Sequence, residues 1–142
     1  MPELNMDSIY SVDMAMSRVT HLTPLSPSAA FDTVTDWRRH RVPFTRIVVT
    51  PNGFTARTGF GPLGFDDPME VTLWDPPRRV VLRKLGRVVR GDATITVTQT
   101  PSGSAVTWDE DVSVIGVPRV FDPVLRRALG AMISLVLRRL LP

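Results

Sequence analysis

The chain contains no cysteine in 142 residues, which excludes disulfides, thiolate metal sites and cysteine nucleophiles together. It also suits a reducing, cytoplasmic setting, the location expected here. Histidine is nearly absent, with only His21 and His40, so a histidine-based metal cluster is not expected. Carboxylates do not fill the gap. Asp109-Glu110-Asp111 alternates faces in an extended strand and cannot converge on one ion, while Asp66-Asp67 stands apart. No G-x-S-x-G occurs, so the chain lacks a nucleophile elbow. Gly59-x-Gly61-x-x-Gly64 matches a dinucleotide fingerprint as a string, but no helix follows it and Pro62 interrupts the turn. It reads as a loop at a pocket entrance or as a wide hairpin. No cofactor is expected. No apolar run approaches the roughly 18 residues of a membrane span, and residues 1–13 have neither the basic nor the apolar region of a signal peptide.

Charged residues make up an ordinary 22% of the chain, but its positive charge comes from one residue type. Sixteen of the seventeen basic residues are arginine, a compositional bias toward GC-rich codons. Five of them (Arg119, Arg126, Arg127, Arg138, Arg139) fall after residue 118, against the single acid Asp122. Such a basic end is a solvated outer face or a weak contact with anionic lipid or an acidic partner. Basic residues are not interleaved with exposed aromatics, and no recognition-helix pattern is present, so nucleic acid is not an expected partner.

What the chain does have is a change of period. Residues 1–11 read as a loose leader, and 12–142 as one domain. Residues 12–22 read as a strand. Ser26-Pro27 then starts a short helix through Ala29, Ala30, Phe31 and Val34, with a capping serine and proline at the first helical position. Residues 36–40 make a second helical turn. From Phe44 the period is two: strands over 44–50, 54–60, 69–74, 79–85, 88–98 and 104–114, joined by Pro51-Asn52-Gly53, Asp75-Pro76-Pro77-Arg78 and Pro101-Ser102-Gly103. Short turns make these antiparallel neighbours. Asp122 as N-cap and Pro123 open a long last helix, with Phe121, Leu125, Ala128, Leu129, Met132, Ile133, Val136 and Leu140 on one face. Hairpins segregated from helices indicate α+β.

In the last strand Val106, Trp108, Glu110, Val112 and Val114 share a face that must meet this helix. Val89, Ala93, Ile95 and Val97 face inward from the strand before it, with Gly91, Ala93 and Ala128 as small inward residues, and Val71 and Leu73 share Met69's face. The space between sheet and helix is either a solid core or a hollow kept open by small residues and moulded by methionines. Glu110 beside Trp108 is the sharpest polar feature. A carboxyl in an apolar lining has a raised pKa and suits general acid–base work. Alternatively it forms a structural ion pair with Arg87 or Arg90 across the neighbouring strand. His40 lines the pocket mouth or is plain polar surface. Leu135 and Leu137, outside the main stripe, make the helix apolar enough to support a homodimer.

The run Ser26-Pro27-Ser28-Ala29-Ala30-Phe31-Asp32-Thr33-Val34-Thr35-Asp36-Trp37 resembles the early helix of the START-like superfamily, whose fold is a helix grip. The segments 61–71 (GPLGFDDPMEV) and 86–91 (GRVVRG), with Trp108-Asp109-Glu110, are similar to its bacterial polyketide cyclase/dehydrase-like branch. The resemblance implies about seven antiparallel strands curved around a long C-terminal helix, two short helices after strand 1, and a deep apolar cavity between sheet and helix. It implies binding or transport of a small hydrophobic ligand, lipid or polyketide-like. The alternative is a cyclase/dehydratase in which Glu110 or His40 moves protons while the cavity holds a poly-β-keto chain folded. The expected lining is Trp37, His40, Phe60, Met69, Trp108, Glu110, Leu125, Leu129 and Met132.

Overall fold

A computed structural model of the protein describes residues 15–42, 44–59, 62 and 64–142, so the expected leader and Phe60 lie outside the described residues. Strand β1 (Ala15–Thr23) is followed by helix α1 (Pro27–Val34) and a 3-10 turn (Trp37–Arg39). Five strands come next: β2 (Thr45–Thr50), β3 (Gly53–Thr58), β4 (Phe65–Asp75), β5 (Arg79–Leu85) and β6 (Val89–Thr100). β7 (Gly103–Val114) leads through a 3-10 turn (Arg119–Phe121) into α2 (Asp122–Leu140). The strands form one antiparallel sheet in the order β1-β7-β6-β5-β4-β3-β2, an unbroken meander with β1 added beside the last strand. The curled sheet and its C-terminal helix are the expected α+β helix-grip architecture.

Alternation does in the sheet what it predicts. On β7, Ser104, Val106, Trp108, Glu110 and Val112 are all buried while their neighbours are partly exposed. Ala93, Ile95 and Val97 match them from β6, and Val80, Leu82 and Lys84 from β5. Ser26 caps α1, its side chain accepting from the Ala29 amide, and Ala30, Phe31 and Val34 turn inward. Gly103 turns the chain at positive φ where a Cβ would run into the Thr23 carbonyl oxygen.

Four expectations need correction. Leu73 does not share Met69's face. The β4–β5 register shifts between Val71 and Leu73, so Val71 pairs with Leu82 while Trp74 pairs with Val80. This β-bulge inserts one residue, turns Leu73 outward, and brings the Trp74 ring edge-on to Phe31 at 5.1 Å between centroids. β4 also begins at Phe65, directly after the glycine-rich loop and four residues before the expected start at Met69, because 65–70 pairs residue for residue with β3. Asp122 is not the N-cap. The preceding 3-10 turn already holds Phe121 in the right-handed helical region, so the helix continues from it and Asp122 becomes an acid in the first turn.

The fourth correction concerns the inner face of α2. Only its second half is covered: Ile133, Val136, Leu137 and Leu140 are buried, whereas Phe121 is 51% exposed and Ala128 is also exposed. The helix lies close to β1, where the Ser17 hydroxyl donates to the Arg126 carbonyl at 2.7 Å opposite Gly130. That contact rotates the buried stripe toward Leu137, which belongs to the core and is not spare apolar surface. Val120, Phe121 and Val124 stay exposed at the helix start, beside exposed Arg126 and Arg127. Among the described residues no helix is long and apolar enough to cross a membrane. Leu137→Ala should cost about 2–5 kcal/mol of unfolding free energy, the range for a truncated core leucine, as read from denaturant midpoints. A loss under about 0.5 kcal/mol, as at a surface position, would place Leu137 outside the core.

Candidate functional site

A cavity of about 80 Å³ lies between the concave face of the sheet and α2. Five strands contribute walls: Thr45 and Ile47 from β2, Phe54, Ala56 and Thr58 from β3, Asp67 and Met69 from β4, Lys84 from β5, and Trp108 and Glu110 from β7. Met132, Ile133 and Val136 close it from α2, and His40 and Val42 from the segment after the 3-10 turn. It is far smaller than the roughly 300–1,000 Å³ of pockets that enclose a drug-sized ligand. The deep hollow implied by the family resemblance is therefore narrow here, because Phe54, Trp108 and Met132 project into it.

One wall is charged. Lys84 Nζ lies 2.8 Å from Asp67 Oδ2 and 3.3 Å from Glu110 Oε1, with Lys84 and Glu110 almost entirely buried and Asp67 mostly so. Its third near neighbour is the Met69 sulfur at 3.8 Å. The sheet register explains the meeting. Lys84 pairs with Gly91 of β6 and Met69 of β4, and Glu110 pairs with Ala93 of β6. Gly91 and Ala93 are the inward residues of the strand that separates Lys84 from Glu110. Their small size lets the lysine reach over β6 to β7. Asp67 stands two residues from Met69 on the same face of β4, within diagonal reach of Lys84. Burial works against the ammonium, but Glu110 and Asp67 outweigh it, and the pKa of Lys84 ends above its ordinary value.

The partner of Glu110 is thus Lys84, not Arg87 or Arg90. Alternation turns Arg90 outward, where its guanidinium donates to the Gly86 carbonyl. Two polar members of the wall, Asp67 and Lys84, were not singled out from sequence. The signals were present: Asp67 continues the Met69–Val71 face once β4 is extended upstream, and Lys84 continues the Val80–Leu82 face.

His40 is buried and lines the cavity, so of its two expected placements it does not take the plain polar surface. Its Nε2 donates to the Val34 carbonyl at 2.8 Å, satisfying an acceptor at the C-terminal end of α1 that has no partner within the helix. The ring sits among aromatics, with centroids 5.4 Å from Trp37, 6.2 Å from Phe54 and 5.7 Å from Trp108. Burial depresses its pKa, more strongly than the Val34 hydrogen bond and Asp36 raise it.

Of the expected lining, His40, Met69, Trp108, Glu110 and Met132 are brought together around the cavity. Trp37 stands behind them. It packs on Phe54 at 4.9 Å between centroids and faces a shallow outer groove of about 440 Å³ shared with Val49, Glu70 and Trp74. Leu125 and Leu129, only partly buried in earlier turns of α2, are not among the walls.

Two outcomes follow. Lys84→Met leaves two carboxylates buried without their cation and should destabilise the fold by about 3–5 kcal/mol, whereas replacing all three charged residues by apolar ones should recover most of that loss. Equal chemical-denaturation midpoints for Lys84→Met and wild type would show the cluster to be energetically neutral. Because the folded-state pKa of His40 lies below its ordinary 6.5, its share of stability is present above pH 6.5 and is lost as pH falls through the depressed value. The melting temperature should therefore drop on acidification from about pH 6.5, and His40→Gln should flatten that drop. An unchanged slope in the variant would assign the acid sensitivity elsewhere.

A family profile described as polyketide cyclase / dehydrase and lipid transport matches residues 14–141. Among individually curated proteins, none is similar in sequence. Solved structures with the same fold include the di-domain ARO/CYC StfQ from the steffimycin biosynthetic pathway, at 15% identity and TM-score 0.73. That match covers 94% of this chain, which spans about half (51%) of the di-domain protein. A START superfamily protein from Mycobacterium smegmatis superposes with TM-score 0.70 at 14% identity, covering 88% of this chain and 93% of its own. Mll3558 from Rhizobium loti does so with TM-score 0.68 at 18% identity, covering 89% and 97%. At such identities these structures speak for the fold alone. The profile spans nearly the whole sequence, and the chain belongs to the polyketide cyclase / dehydrase and lipid transport family.

Proposed function

We propose that the protein binds a small hydrophobic ligand, lipid or polyketide-like, whose leading end is received in the cavity between the sheet and α2. The observation that carries this reading is a hollow with walls of Ile47, Phe54, Ala56, Trp108, Met132 and Ile133 that keeps a polar cluster at one side. Apolar walls with a few placed polar groups are the ordinary make-up of a small-molecule site. The small volume favours a ligand that inserts one end, with Met69 and Met132 as the adaptable side chains that give way to it.

A second reading, polyketide cyclase/dehydratase, rests on a separate observation: Glu110 and His40 line the same cavity, with Lys84 beside Glu110. In that reading the walls hold a poly-β-keto chain folded, and Glu110 or His40 transfers protons at carbons between carbonyls. Glu110→Gln and His40→Ala should then abolish turnover of a poly-β-keto substrate while circular dichroism remains that of a folded protein. Retained turnover in both variants would remove the enzymatic reading.

For the binding reading, titration with 1-octanol followed by tryptophan emission should saturate. Ala56→Met, which extends a cavity-wall side chain into the hollow, should weaken binding at least tenfold while the melting temperature stays within a few degrees of wild type. A response that never saturates, or one that Ala56→Met leaves unchanged, would overturn it.

A further inference from the structure

Resting on the binding reading above, we infer that the cavity selects ligands by the polar end they present: it takes a hydrogen-bond-donating head, a hydroxyl or an ammonium, and rejects a carboxylate. The polar wall holds one ammonium and two carboxylates, so it carries a formal excess of one negative charge. An ammonium has three hydrogens, and those of Lys84 are taken up by Asp67 Oδ2, Glu110 Oε1 and the Met69 sulfur. No donor of Lys84 is left for an incoming anion.

The polar atoms of this wall that remain without a protein partner are mostly acceptors. Among the described residues, Asp67 Oδ1 and Glu110 Oε2 are buried and unpaired, and the buried donor of this wall without a partner is the indole Nε1 of Trp108. Buried polar atoms of this kind are costly unless a partner reaches them. A hydroxyl donates to a carboxylate oxygen and keeps lone pairs for an indole N–H. An ammonium donates to the carboxylates, offsets their excess charge, and meets the aromatic faces of Phe54 and Trp108. A carboxylate head brings only acceptors and a second negative charge into a largely buried site where repulsion is poorly screened. The walls thus separate alcohols, phenols and amines from free fatty acids of equal length.

Three eight-carbon probes that differ only at the head test this directly by calorimetric titration at pH 7: 1-octanol, octylamine and octanoate. Octanol and octylamine should bind at least tenfold more tightly than octanoate, and Ala56→Met should weaken both. Asp67→Asn, which removes one negative charge, should narrow the gap to octanoate, and Glu110→Gln is the matched variant should Asp67→Asn fail to fold. A larger gain for octylamine than for octanol assigns the selection to charge, and equal affinities assign it to hydrogen bonding. Octanoate binding as tightly as octanol would overturn the head-group inference and leave the cavity reading intact. Binding of none of the three would overturn the cavity reading and this inference with it.

Discussion

Everything at the concave face is arranged around one buried lysine held between two carboxylates. A charge in that position is tolerable only with its partners in place, and the partners come from different strands: Asp67 from β4, Lys84 from β5 and Glu110 from β7. The cluster therefore ties the register of four consecutive strands together, with β6 contributing its lack of bulk. Gly91 serves this arrangement twice. It leaves the lysine a path across the sheet, and at φ +137° it occupies a backbone conformation in which a Cβ would strike the Asp111 carbonyl oxygen. A slip of one residue anywhere in this part of the meander would turn one charge outward and strand the others.

The same cluster explains why the hollow is not closed by apolar packing. The large inward side chains of β5 and β6, Leu82 and Ile95 among them, form solid core toward the α1 end of the sheet. Toward β2 and β3 the wall is charged, and aliphatic groups packed against it would offer its unpaired carboxylate oxygens no partner. His40 strengthens the division. It is committed to the Val34 carbonyl through Nε2 and wedged among Trp37, Phe54 and Trp108, so it acts first as the closing element of α1 and as a cavity wall. Any role as a proton carrier would fall to a ring already held neutral by its surroundings.

The fold was largely legible in the sequence because the two periods are clean. Period two on β7 placed Val106, Trp108, Glu110 and Val112 inward, and Ser26-Pro27 marked the start of α1. The failures are local and physical. The bulge after Val71 is invisible to alternation, so Leu73 and Trp74 exchanged faces. The helix period identified an apolar stripe on α2 but could not say how deeply each turn is covered, so Phe121 and Ala128, which are exposed, and Leu125 and Leu129, which are only partly buried, were placed with the fully buried residues of the later turns. The ion partner of Glu110 was misassigned because strand-to-strand register, not proximity in sequence, decides which cation lies opposite. Arginine at 87 or 90 is nearer along the chain, yet the lysine two strands away has the shared face.

Lys84 is also the sole lysine in the sequence, all other basic side chains being guanidinium groups. The only side-chain amine of the molecule is thus sealed inside the site and held in its protonated, unreactive form. Acylating reagents have no competing lysine on the surface, so modification at this one position is a direct clock for how often the sheet and helix part far enough to admit a visitor.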